Sequence, residues 1–63
     1  MTLKEARLLS GLKVKKICQK MEFSRSFLYA LENNKYPVSS LYRKKFAELY
    51  SCQITDIQYS KTN

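Results

Sequence analysis

The chain contains no histidine, a single glycine and only five acidic side chains in 63 residues. Without histidine, the usual zinc ligand sets and imidazole acid–base catalysis are excluded. One glycine cannot build a glycine-rich phosphate loop, and no pair of carboxylates stands at a spacing suited to general acid and base work. No enzyme activity, metal or cofactor is therefore expected. Cys18 and Cys52 lie far apart and form no Cys-x-x-Cys pair, so they read as reduced, half-buried thiols of a cytoplasmic protein. No apolar run approaches the roughly 18 residues of a membrane span. The opening Met-Thr-Leu-Lys-Glu-Ala-Arg is too polar for a signal peptide. The shortage of acid matters most. Twelve Lys and Arg against five Asp and Glu leave a formal charge of +7, a balance that in so small a domain points to a polyanionic partner.

What is present is helical periodicity. Thr2 with Glu5 three residues later reads as a capping box. Leu3, Ala6 and Leu9 or Ser10 follow at helical spacing, and Gly11 ends this first helix, at about residues 2–10. From Val14 a second helix places Val14, Ile17, Cys18 and Met21 on one side, with Lys15, Lys16, Gln19 and Lys20 on a basic, solvated remainder. After a connector of Met21, Glu22 and Phe23, Ser24 caps a third helix. At about 100° per residue, Leu28 and Leu31 fall together, while Arg25, Ser26, Tyr29 and Ala30 fall on the opposite side. One face can pack while the other presents a guanidinium, a hydroxyl, a phenol and a methyl. Two helices joined so tightly, with the small Cys18 in the middle of the first, match a helix-turn-helix.

Residues 33–37 form a loop in which Asn34 suits a left-handed position. Ser39 or Ser40 caps a fourth helix running to about Tyr50, with Tyr42, Phe46, Leu49 and Tyr50 inward, Ala47 at the margin, and Arg43, Lys44 and Lys45 in solvent. Residues 54–59 can form a short fifth helix with Ile54 and Ile57 inward, and residues 60–63 are expected to fray. The expectation is one all-α, five-helix domain over residues 1–59.

In this order and spacing the residues resemble the phage-repressor and Cro-like helix-turn-helix family, also called XRE, over about residues 3–57. Leu3-Lys4-Glu5-Ala6-Arg7 is similar to its first helix, and Ile17-Cys18-Gln19-Lys20-Met21 to its aliphatic–small–polar–polar–aliphatic pattern. Phe23-Ser24-Arg25-Ser26 resembles its turn and recognition-helix start. Leu31-Glu32-Asn33-Asn34-Lys35 resembles its Ile/Leu-Glu-Asn-Gly-Lys signature, the most specific element. Phe46-Ala47-Glu48-Leu49-Tyr50 and Ile54-Thr55-Asp56-Ile57 keep the register. The resemblance implies a compact phage-repressor-like fold and sequence-specific binding of double-stranded DNA, as a small transcriptional regulator and repressor of a phage or mobile element. A two-fold operator bound by a homodimer, formed in solution or only on DNA, is the implied partner. No small-molecule ligand and no membrane contact are expected.

Carried over by position, the implied base readers are Ser24, Arg25, Ser26, Tyr29 and Ala30. Arg25 suits the O6 and N7 of guanine, Ser26 suits several bases, and Ala30 suits a thymine methyl. The implied phosphate contacts are Lys13, Val14, Asn33 and Lys35, with the helix start at Ser39 and Ser40. Arg7 and Glu32 hold the positions of a structural ion pair in that family. Ile57 and Tyr59 are candidates for a dimer interface.

Three features depart from the family pattern. Lys13 and Val14 stand where Ser or Thr and then Gln are usual, and Val14 cannot brace the recognition helix as Gln does. Glu22 replaces the glycine of the turn, at a cost of about 1 kcal/mol if the backbone there is left-handed. Phe27 and Tyr29 make the third helix unusually aromatic. Phe27 lies at the edge of the packing side and is expected to pack in part. Tyr29 reads as a base or phosphate contact, as a lone surface tyrosine, or, with Phe27, as part of a protein-binding patch. These departures motivate the alternative function, a protein-interaction module such as an antirepressor or an excision accessory factor.

Overall fold

Four α-helices follow one another: α1 (Leu3–Ser10), α2 (Val14–Met21), α3 (Arg25–Glu32) and α4 (Ser40–Leu49), then a single 3₁₀ turn (Ile54–Asp56). These elements come from a computed structural model, which describes residues 1–59; the tail expected to fray, 60–63, lies outside the described residues. Among the described residues there is no strand, only one isolated parallel bridge between Thr2 and Gln58.

Local chemistry sets the helix ends. The Glu5 amide donates to Thr2 Oγ1 at 3.1 Å and the Thr2 amide donates to Glu5 Oε1 at 2.7 Å, closing the capping box of α1. Gly11 ends α1 at φ 73°, where a side chain would strain the backbone. Ser24 Oγ accepts the Phe27 amide at 3.2 Å, and Ser39 Oγ accepts the Tyr42 amide at 3.3 Å, so Ser39 rather than Ser40 caps α4. α2 alone among the four has no side-chain cap.

The core is made by Leu3, Ala6, Ile17, Met21, Leu28, Leu31, Val38, Phe46, Tyr50, Ile57 and Tyr59. α2 packs on both α3 and α4, and α4 packs on the 3₁₀ turn. Ile17, Leu28, Leu31 and Phe46 are fully buried, and together they join α2, α3 and α4.

Several expectations need correction. Of Leu9 and Ser10, the two candidates for one inward place, Leu9 is 78% exposed. Ser10 takes the inward place instead, its hydroxyl donating to the Arg7 carbonyl at 2.6 Å and accepting the Leu12 amide at 3.1 Å. The fifth helix is only the 3₁₀ turn, and Ile54 points outward. Beyond it the backbone extends, with Ile57 at φ −112° and ψ 134°. The Gln58 amide then donates to the Met1 carbonyl at 2.7 Å, so pairing with the N-terminal segment replaces helical bonding. Arg43 is half-buried rather than solvated: its Nε donates to the Val38 carbonyl at 2.9 Å, and its guanidinium lies 5.3 Å from the centre of the Tyr59 ring. Ala47 is fully inside rather than marginal.

Candidate nucleic-acid interface

α3 buries Leu28 and Leu31 and turns Arg25, Ser26 and Tyr29 to solvent, with Ala30 half-buried between them. No side-chain ion pair holds Arg25 among the described residues, because Arg7–Glu32 is the only such bridge there. Its five guanidinium N–H donors are free for an acceptor outside the chain. Ser24 has one lone pair committed to the Phe27 amide. It keeps a hydroxyl proton and a second lone pair, so a capping role leaves it able to donate.

Two different packings bound this outward face. On one flank, Arg7 reaches across from α1 and binds Glu32 with both faces of the fork, Nε to Oε2 at 2.7 Å and Nη2 to Oε1 at 3.2 Å. The Arg7 and Glu32 side chains are only 13% and 4% exposed. The bond to Glu32 holds the Arg7 guanidinium proton more tightly than usual, against the opposing effect of burial. The same guanidinium lies 6.0 Å from the centre of the Tyr29 ring, at the outer edge of cation–π range. Arg7 thus ties α1 to the C-terminal end of α3, and its charge is spent inside the protein.

On the other flank stands an aromatic cluster. Phe23 meets Phe27 edge-on at 5.2 Å between ring centres and Tyr42 at 5.7 Å. Phe27 also meets Tyr42 edge-on at 5.9 Å and lies stacked with Tyr36 at 6.1 Å. These separations fall in the favourable range for aromatic pairs. Phe27 therefore packs in part, as its position at the edge of the wheel suggests. Phe23, Phe27 and Tyr42 pair with one another, and Tyr36, given no role by sequence reasoning, joins the cluster through Phe27 alone; the four aromatics lie in two helices and two connectors, with no single period to reveal them.

The remaining candidates surround this face. Lys13 and Val14 lie at the start of α2, Lys13 exposed and Val14 half-buried. With no side-chain cap, the first amides of α2 remain available to an anion. Asn33 and Lys35 are exposed in the loop after α3, and the Lys35 amide is held by the Ala30 carbonyl at 2.9 Å. Ser39 and Ser40 are exposed at the start of α4, Ser39 with one lone pair already used in capping.

Ile57 and Tyr59 do not belong to any outward surface. Both are buried in the core of their own chain, and the Tyr59 hydroxyl donates to the Arg43 carbonyl at 3.1 Å. The expectation of a dimer interface through them is corrected: their apolar area is already removed from water within one copy.

Glu22 adopts φ 61° at the end of α2 and is exposed, so the connector does carry a non-glycine residue in the left-handed region. No protein-family model, no curated protein and no solved structure matches the chain.

Proposed function

We propose that the chain binds double-stranded DNA in a sequence-specific manner, with α2 and α3 acting as a helix-turn-helix and α3 entering the major groove. In this reading it is a small transcriptional regulator that represses by occupying its operator. The observation that carries the proposal is the outward face of α3. Arg25, Ser26 and Tyr29 are exposed there, and Arg25 has no side-chain ion pair among the described residues, while the whole chain carries +7. Arg25 is the reader suited to guanine, and one bidentate contact of that kind discriminates by about 1–3 kcal/mol. Lys13, Lys35 and the free amides at the start of α2 then serve the phosphates.

Size supports a two-fold site. The longest extent of the domain is 31 Å, shorter than the roughly 34–36 Å between successive half-sites on one side of a duplex. A single copy reaches one major-groove segment, and the second half-site needs a second copy. With Ile57 and Tyr59 buried, the two copies meet on DNA or through another surface.

The test is selection from a randomised duplex pool followed by titration at two salt concentrations. The enriched site should bind at least about 10³-fold more tightly than random duplex, with affinity falling steeply as salt rises. Arg25→Ala should lose most of that ratio. Failure to enrich any sequence, with binding that persists at high salt, would favour the protein-interaction module that the exposed Glu22 and Tyr29 also suit.

A further inference from the structure

Tyr36 is 55% exposed, yet its position is prepared from both sides. Before it, Asn34 turns the chain at φ 60°, and the Asn34 and Lys35 amides are held by the Leu31 and Ala30 carbonyls. After it, Val38 is buried and its carbonyl accepts from Arg43 at 2.9 Å. One face of the Tyr36 ring rests on Phe27, with 30° between the planes. Phe27 in turn is braced by Phe23 and Tyr42. The rest of the Tyr36 ring is open to solvent and offers a flat apolar surface on one flank of α3, beside Lys35.

Given the reading that α3 enters the major groove, on which this step rests, the dimensions say what that surface meets. A helix with its side chains is about 10–12 Å across, and the groove is about 12 Å wide. The helix fills the opening, so whatever stands on its flank faces the sugar–phosphate wall and not the base edges. In a duplex the base faces are covered by stacking, and the exposed apolar matter of the wall is deoxyribose. We infer that Tyr36, buttressed by Phe27, packs its ring on a deoxyribose of the groove wall and so adds affinity for any duplex. It supplies contact area without charge and without base information, beside Lys35, which supplies charge.

That division gives Tyr36 a signature no other contact shares. Tyr36→Ala should weaken binding roughly tenfold, the scale of losing about 55 Å² of buried apolar contact. The loss should be equal on the enriched site and on scrambled duplex, with the slope of affinity against salt unchanged. Lys35→Ala should instead reduce that slope by about 1. Tyr36→Phe should bind within about twofold of the parent, and Tyr36 ring protons should show nuclear Overhauser contacts to deoxyribose protons of the bound duplex. Phe27→Leu, which keeps the core filled but removes the buttress, should lose part of the same affinity.

The inference is overturned by an unchanged affinity in Tyr36→Ala, or by a loss confined to the enriched site, which would make Tyr36 a base reader. It is equally overturned if Tyr36→Phe is as weak as Tyr36→Ala, since the hydroxyl would then be the contact, or if single-stranded DNA binds more tightly than duplex. A parent chain that binds no duplex defeats the DNA reading itself. A parent that binds duplex normally and ignores Tyr36→Ala defeats only the role of Tyr36.

Discussion

Glu32 and Tyr50 lie close enough to influence each other and have opposite fates. Glu32 is nearly fully buried and doubly bonded to Arg7, so neutralising it strands a guanidinium inside the protein. Glu32→Gln should lower the unfolding free energy by about 3 kcal/mol, measured by urea denaturation. The Tyr50 hydroxyl is buried with no hydrogen-bond partner among the described residues. Tyr50→Phe removes an unsatisfied group whose burial costs about 1–3 kcal/mol, while the ring keeps its stack on Phe46 at 5.7 Å. The expected result is an unfolding midpoint equal to or above the parent's; a clear drop would mean that the hydroxyl has a partner in solution. Burial, reinforced by the Glu32 carboxylate, pushes the Tyr50 phenol well above its ordinary value of 10.0. A raised value in the folded state means that this contribution to stability is complete below about pH 10 and declines as pH rises above it. Tyr50→Phe should flatten part of that alkaline decline. That Arg7 and Glu32 meet was suggested by family position. The unpartnered hydroxyl was not, because a helical wheel places a ring inside without saying what surrounds its oxygen.

At the scale of the element, the junction between α2 and α3 carries the clearest mismatch between residue and conformation. Glu22 ends α2 at φ 61°, a region that costs an ordinary residue about 1–2 kcal/mol and glycine almost nothing. Allowing for the greater freedom of glycine in the unfolded chain, Glu22→Gly should stabilise by about 0.5–1 kcal/mol. If the chain binds DNA as proposed, it should also tighten binding to every duplex equally, because it removes an exposed negative charge. Chemical denaturation checks the first effect and titration against scrambled DNA the second. Asn34 and Ser51 take the same backbone region at φ 60° and 56°. Asn34 was legible because asparagine favours it; Ser51 was not, since serine carries little preference for φ above zero. The boundaries of α1 to α4 were readable because Thr2, Ser24 and Ser39 cap three of them and Gly11 stops the first. Lys13 offered no such signal for α2, whose start followed from the periodicity of Val14, Ile17 and Met21 alone.

At the scale of the whole molecule, the N-terminal segment is tied to residues 56–59. The Met1 amino group donates to the Asp56 carbonyl at 3.0 Å, the Gln58 amide donates to the Met1 carbonyl, and Ile57 and Tyr59 drop into the core beside them. Ile57→Ala should therefore cost about 2–4 kcal/mol of unfolding free energy, and the loss should not depend on protein concentration. A loss that fades as concentration rises would instead return Ile57 to an interface between copies. Composition, helical periodicity and capping residues determined by themselves that the chain is helical, strongly basic and turns a polar face of α3 outward, because those properties belong to residues within a turn or two of one another. Only the tertiary structure decided the rest. It made residues 57–59 an extended strap instead of the end of a fifth helix, took Tyr59 inside, gave Arg43 partners within the chain, and set Tyr36 on Phe27. Each of those outcomes depends on partners distant in sequence, where hydrogen bonds and apolar burial between separate elements outweigh what a short stretch prefers alone.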